Sequence, residues 1–390
     1  MRDPLLRWRE EFPILTRTTY LVSHSMGAMP RSAWMWVERY LRAWEERGVL
    51  AWEEWETSLR EHADRIAALL RAPAGSVVLH QNVSTLFGVL LSALVRPRGR
   101  TKVVATDLNF PSLLYALQMH GDLGVRLHLV RSPDGITVPP EAWEEAVDPD
   151  TLAVVVDHGI FRSGFLQDVG AIAAMAHRCG AWVIVDAYQT AGCVPIDVQA
   201  WGADVVLGGS HKWLCGGPGA AWMYVRPDRI PELRPRVVGW FSHRTPFAFE
   251  LQVDLAPDAR RFLTGTPGIS GLFAARAGLE VVLEVGVEAI REKSVRLTQR
   301  MIERADELGL RVRTPRDPAR RGGMVVVDFP GAEQVAQQLV RRGILVDYRP
   351  QAGIRMSAHF YTHPDEVERV FEAIQERVAR MVSSPHPGEG

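Results

Sequence analysis

Between residues 77 and 225, short apolar runs alternate with longer segments in which apolar positions recur every three or four residues. The short runs are Val77-Val78-Leu79-His80, Lys102-Val103-Val104-Ala105, Val125 to Val130, Leu152 to Asp157, Trp182 to Asp186, Asp204 to Leu207 and Ala221 to Tyr224. The segments between them, such as Ser84 to Leu94, Pro111 to Met119 and Val169 to Arg178, carry the spacing of a helix that faces a sheet. This alternation predicts a doubly wound α/β fold: a mostly parallel seven-stranded sheet with helices on both faces.

Beyond Thr266 the texture changes. The pattern predicts a long helical stretch from Ser270 to Leu308, a strand over Gly323 to Phe329 and a helix around Ala332 to Arg342. A strand near Ile344 to Asp347 and a last helix from Pro364 to Met381 complete a smaller C-terminal α+β domain. At 390 residues the chain exceeds the size at which one hydrophobic core stops growing, so two domains are expected. The division reads as an N-terminal arm over 1–60, a large domain over 61–268, a small domain over 269–382 and a frayed tail over 383–390. The arm carries Trp8, Trp34, Trp36, Trp44, Trp52 and Trp55 among many charges, which predicts packing on a neighbour rather than a core of its own.

Charge narrows the partners. Lys and Arg number 45 against 46 Asp and Glu, so no net field draws the chain to nucleic acid or an anionic membrane, and a small-molecule partner is favoured. Cys179, Cys193 and Cys215 lie far apart, with neither disulfide-framework count nor metal-site spacing, which fits a reducing cytosol. The amino terminus is interrupted by charges and no apolar stretch reaches bilayer length, so a cytoplasmic location is expected.

Two places carry chemistry. In Val183-Ile184-Val185-Asp186-Ala187-Tyr188-Gln189 an apolar strand ends in a carboxylate, at the end of the sheet where ligands of open α/β folds bind. A buried acid there needs a cation, and a pyridinium nitrogen is one that would become an electron sink. Asp186 could equally cap the following helix. The second place is Gly208-Gly209-Ser210-His211-Lys212-Trp213-Leu214-Cys215-Gly216-Gly217-Pro218-Gly219, a lysine among small residues after a strand. Crowding can strip such a lysine of its proton and make it a nucleophile fit for Schiff-base chemistry. A dinucleotide site would want GxGxxG after the first strand, and His80-Gln81-Asn82-Val83-Ser84 lacks it.

Asp186-x-x-Gln189, Ala203-Asp204 and Lys212 followed by Gly216-Gly217-Pro218-Gly219 resemble the class V aminotransferase superfamily of fold-type I enzymes, which bind pyridoxal 5'-phosphate (PLP). Asn109-Phe110-Pro111-Ser112, His158 with Arg162-Ser163-Gly164, Gly239-Trp240-Phe241-Ser242-His243 and Arg261-Phe262-Leu263-Thr264-Gly265-Thr266-Pro267 narrow the resemblance to kynureninase. It implies a Schiff base on Lys212, Asp186 on the pyridine nitrogen, Phe110 stacked on the ring, Asp157 near it and Gln189 on the ring hydroxyl. It implies phosphate held by the backbone of Asn82 and Val83, and by Trp240 and Thr266 from a neighbouring subunit, hence a homodimer. Arg355 would grip a substrate α-carboxylate, with Ser25 and His24 on a substrate-side loop. The implied reaction is hydrolysis of the Cβ–Cγ bond of L-kynurenine or a related γ-oxo-α-amino acid, with His211 or Lys212 protonating the β-carbon. The chain departs from that family at His211, where a tyrosine precedes the lysine, at Leu113, at Gln189 and at Val22-Ser23-His24. A carbon–sulfur β-lyase, an epimerase or an aminotransferase-like enzyme of the same superfamily is the alternative. Tyr348 to His359 holds no cysteine of the kind a desulfurase needs.

Overall fold

The computed structural model describes residues 3–95 and 99–383, so the expected tail falls outside it apart from Ser383, which ends the last helix, Pro364–Ser383. The central sheet has seven strands in the spatial order Val77–His80, Ala221–Val225, Val205–Gly209, Trp182–Asp186, Thr151–Asp157, Lys102–Thr106, Arg126–Val130. Pairing is parallel from Val205–Gly209 through to Arg126–Val130. Ala221–Val225 runs against both of its neighbours. The chain thus has the mostly parallel α/β architecture that its pattern predicts.

The apolar runs are continuous because both faces of the sheet are covered. Val183 and Val185 point into one core with Val154, Val156 and Val206, while Ile184, Val155, Val205 and Leu207 point into another on the opposite face. A strand solvated on one side would alternate apolar with polar residues, and these do not. Parallel neighbours also bring strand ends level, so Asp157 and Asp186, the last residues of adjacent strands, are direct register partners.

The C-terminal part folds on a four-stranded antiparallel sheet ordered Asp347–Arg349, Gly353–Ser357, Met324–Asp328, Arg311–Val312. Its core joins Val325, Val327, Ile354 and Met356 to Leu297, Met301, Leu339 and Phe371. Two expectations are corrected here. The helical stretch from Ser270 is two helices, Ile269–Val285 and Val287–Glu307, broken at Gly286, whose φ of 84° suits glycine and not an L side chain. The strand near Ile344 is two short ones, Ile344–Leu345 and Asp347–Arg349, and a further strand follows at Gly353–Ser357. Leu272, Ala275 and Leu279 bury with the central sheet, and the second core takes Leu21 together with residues from Leu297 onward.

The N-terminal arm is bound at several points. Thr19–Tyr20 pairs parallel with Ile344–Leu345. Helices Ala33–Arg47 and Trp52–Leu69 bury Trp36 and Trp55 against Ile269, Phe273 and Ala277, while Trp34 and Trp44 stay exposed. Among the described residues no helix is long and apolar enough to cross a membrane.

The strand that leads to Lys212 owes its path to a missing side chain. A Cβ on Gly208 would overlap the indole of Trp222, which is fully buried on the neighbouring strand. Gly208→Ala is expected to lower stability by about 1–3 kcal/mol through overpacking. A urea midpoint equal to that of the wild type would contradict this.

Candidate active site

The carboxyl ends of the central strands deliver the charged groups. Asp157 and Asp186 finish adjacent strands, and the turn after Val205–Gly209 carries His211 and Lys212. Lys212 is 9% exposed, with Nζ 4.6 Å from the centre of the Tyr188 ring and 5.2 Å from that of Phe110. The N-terminal loop closes over this turn: Gly27 N–H donates to the His211 carbonyl at 2.8 Å, and a Cβ on Gly27 would collide with the Lys212 carbonyl.

Burial brings the Lys212 amine down to about 8, a drop that Asp186 opposes and Arg355 reinforces. Asp186 accepts the Tyr188 N–H at 2.8 Å, and burial still raises its carboxyl above the usual range. Asp157 accepts from Asn109 Nδ2 at 2.6 Å and Phe110 N at 2.8 Å. Burial first, and then the charge of Asp186, raises it well above an ordinary carboxylate. The cation that acts on both acids is Lys212. Two buried carboxyls facing a single lysine make a site that would be stabilised by a further cation, such as a protonated ring nitrogen.

Phe110 is 39% exposed rather than a core residue, and its backbone N–H is the one held by Asp157. At the other flank, Asn82 caps the helix Val83–Leu94 by accepting from Thr85 N at 2.8 Å. The helix N-terminus so formed favours an anion.

Arg355 is 3% exposed, not a solvated strand residue. Its Nε and Nη2 make a two-point bond to Asp347 at 2.7 and 2.6 Å, and Nη1 donates to the Phe161 carbonyl at 2.7 Å. Asp347 also contacts His24 Nε2 at 3.1 Å and Arg349 Nη2 at 3.2 Å. Burial would raise Asp347, but the bonds from His24 and Arg355 overcome it and hold the carboxyl well below its ordinary value. His24 is fully buried and lowered to about 4, by burial first and then by Arg355. Ser25 is half-buried beside it.

The sequence-derived set is therefore only partly gathered. Lys212, His211, Asp186, Asp157 and Phe110 converge, and Arg355 and His24 form a second group whose charges reach Lys212. Gln189 serves as a tie, donating to the His24 carbonyl at 3.1 Å and accepting from Trp213 Nε1 at 3.3 Å. Trp240 sits apart among Trp52, Phe241, Phe247 and Phe249, and Thr266 is exposed. Sequence reasoning missed Tyr188 and Asp347. Asp347 could have been found by recognising the tight hairpin in which it is the register partner of Arg355.

An open parallel sheet with a depressed lysine and paired acids at its carboxyl end defines a fold-type I PLP enzyme. The family model described as aminotransferase class-V matches residues 47–370, and the chain belongs to that family. It is similar to the uncharacterized aminotransferase YcbU of Bacillus subtilis, 31% identical over 94% of this chain and 96% of the relative. It is also similar to the kynureninase of Pseudomonas fluorescens, 32% identical over 89% and 86% of the two chains. Among solved structures, a cysteine desulfurase from Thermococcus onnurineus superposes with a TM-score of 0.87 at 23% identity, covering 97% of this chain and 99% of that one. A lysine-to-alanine mutant of C-DES, described with glycine covalently linked to its PLP cofactor, gives 0.87 at 20% over 94% and 99%. The cofactor is pyridoxal 5'-phosphate.

Because the amine and not the ammonium attacks an aldehyde, a depressed pKa moves reactivity to lower pH. Condensation of the apoprotein with PLP, trapped by borohydride, is expected to rise through pH about 8 and to be lost in Lys212→Ala. A midpoint near the ordinary lysine value would refute the burial argument.

Proposed function

We propose that the chain is a kynureninase-like hydrolase that cleaves the Cβ–Cγ bond of L-kynurenine or a related γ-oxo-α-amino acid, giving L-alanine and an anthranilate-like acid. The observation that carries the reading is the kynureninase likeness over 364 residues, combined with a lysine poised near neutrality between Asp186 and Arg355. PLP, when bound, supplies an electron sink for charge that develops at Cα.

This chain's residues supply the rest. Lys212 would hold the cofactor's aldehyde carbon and, with substrate bound, its amine would take the Cα proton. Asp186 would keep the ring nitrogen protonated, with Asp157 and Phe110 beside it. Asn82 and Val83 would hold the phosphate at the helix N-terminus, where the dipole favours an anion. Arg355, oriented by Asp347, grips the substrate α-carboxylate with its remaining N–H groups, and His24 and Ser25 line that side. Gln189, engaged by His24 and Trp213, ties the N-terminal loop to the lysine turn, and its remaining amide N–H would be the one to meet the ring hydroxyl.

Of the two candidates for protonating the β-carbon, Lys212 is the better. Burial, aided by Lys212, lowers His211 to about 4, so no imidazolium is present at neutral pH, whereas Lys212 carries the proton it has just taken. A desulfurase-type reading is less favoured: Tyr348 to His359 holds no cysteine, Cys193 and Cys215 are buried and raised to about 12, and Cys179 sits at the C-terminal end of the helix Val169–Arg178, before the strand Trp182–Asp186 rather than at its carboxyl end.

A homodimer completes the proposed site. Trp240 and Thr266 would reach the phosphate of the partner subunit, and the exposed Phe247, Phe249 and Leu251 beside Trp240 would be covered there. Light scattering is expected to give twice the chain mass, and a monomer for the pair Phe249→Asp, Leu251→Asp.

Holoenzyme given L-kynurenine is expected to release anthranilate, followed by its fluorescence, and Lys212→Ala to release none. Arg355→Gln should raise KM about ten- to a hundredfold. Sulfide from L-cysteine, with kynurenine untouched, would replace this reading by a carbon–sulfur lyase.

A further inference from the structure

Tyr188 lies two residues past Asp186, and the reaction as outlined does not use it. Its hydroxyl is 2.8 Å from His211 Nδ1, with the two rings 5.0 Å apart and tilted by 52°. The same ring is 4.6 Å from Lys212 Nζ. The phenol occupies a slot left by the neighbouring strand: a Cβ on Gly209 would overlap the Tyr188 hydroxyl. The tyrosine, the glycine beneath it and the histidine before Lys212 therefore form one packed unit.

The direction of the hydrogen bond follows from which partner keeps its proton. Burial, and then the Asp186 charge, raises the phenol, so its O–H persists at every ordinary pH. Burial, and then the Lys212 charge, lowers the imidazole to about 4. A neutral imidazole has one N–H and one bare nitrogen, and a phenol that donates needs the bare one.

We propose that Tyr188 is a positioning residue whose O–H donates to Nδ1 of His211, fixing the Nε2–H tautomer and giving the site a permanent neutral N–H donor beside Lys212. His211 then acts as an oriented donor to an oxygen of bound cofactor or substrate, not as an acid that shuttles protons. The inference rests on the PLP-enzyme reading only for the nature of that acceptor. The tautomer itself is measured without turnover, so its failure is distinguishable from a failure of the kynureninase reading.

The test is nitrogen NMR of holoenzyme labelled at histidine, with the His211 signals assigned by their loss in His211→Gln. The wild type is expected to show a bare Nδ1 and a protonated Nε2 that stay unchanged as pH falls to about 5, given the value of about 4. The groups acting on this imidazole are Lys212, Tyr188 and, through Tyr188, Asp186. Tyr188→Phe should mix the two tautomers and raise the His211 pKa by about one unit, since a bond that favoured the neutral form is lost. Gly209→Ala, which expels the phenol while keeping it in the chain, should do the same. A wild-type spectrum with Nδ1 protonated would overturn the proposal even if both variants failed to fold. So would a Tyr188→Phe spectrum identical to that of the wild type.

Discussion

The constraint on which the site depends is the burial of an amine opposite two carboxyls. Water is excluded from Lys212, Asp157 and Asp186 alike, and the lysine falls to about 8 while both acids rise. Each group is held away from its ordinary ionisation by lost hydration; the lysine and the acids partly restore one another, while the charge of Asp186 pushes Asp157 further up. A cofactor that brings an aldehyde to the amine and a basic nitrogen to the acids relieves both at once.

That arrangement needs backbone precision, and the parallel sheet supplies it. Register pairing sets the two acids side by side, and the next strand sets the lysine turn beside them. Missing side chains do the rest: Gly27 lets the N-terminal loop lie on the lysine turn, and Gly209 lets a phenol lie on a strand. The small domain adds Arg355, whose guanidinium is locked by Asp347 and the Phe161 carbonyl. An arginine fixed in this way loses little side-chain freedom when it meets a carboxylate.

The comparisons describe a family whose members share this frame and differ in what is cleaved. In the proposed reading this chain departs from the kynureninase pattern at His211, at Gln189 and in the loop Val22-Ser23-His24. These are positions where a side chain can redirect a proton or a carboxylate without disturbing the sheet. The likeness to a kynureninase is one of sequence, while that to a cysteine desulfurase at 23% identity is one of fold alone.

Much of this was legible along the chain. Strands buried on both faces betray themselves as unbroken apolar runs, as six of the seven strands of the central sheet do, while the edge strand Arg126–Val130 alternates polar with apolar residues and is partly exposed. Asp186 and Lys212 stood out because a charge at the end of an apolar strand, or amid glycines, has no local reason to be there. What only the tertiary structure decided are the relations between distant segments. These include the meeting of Asp157 with Asp186, the capture of Arg355 by Asp347, and the filling of the space over Gly209 by Tyr188. Gly286 likewise broke a helix that periodicity alone would have continued. Periodicity records which face of a segment is buried, but not what it is buried against. Ionisation, tautomer and orientation depend on that second fact.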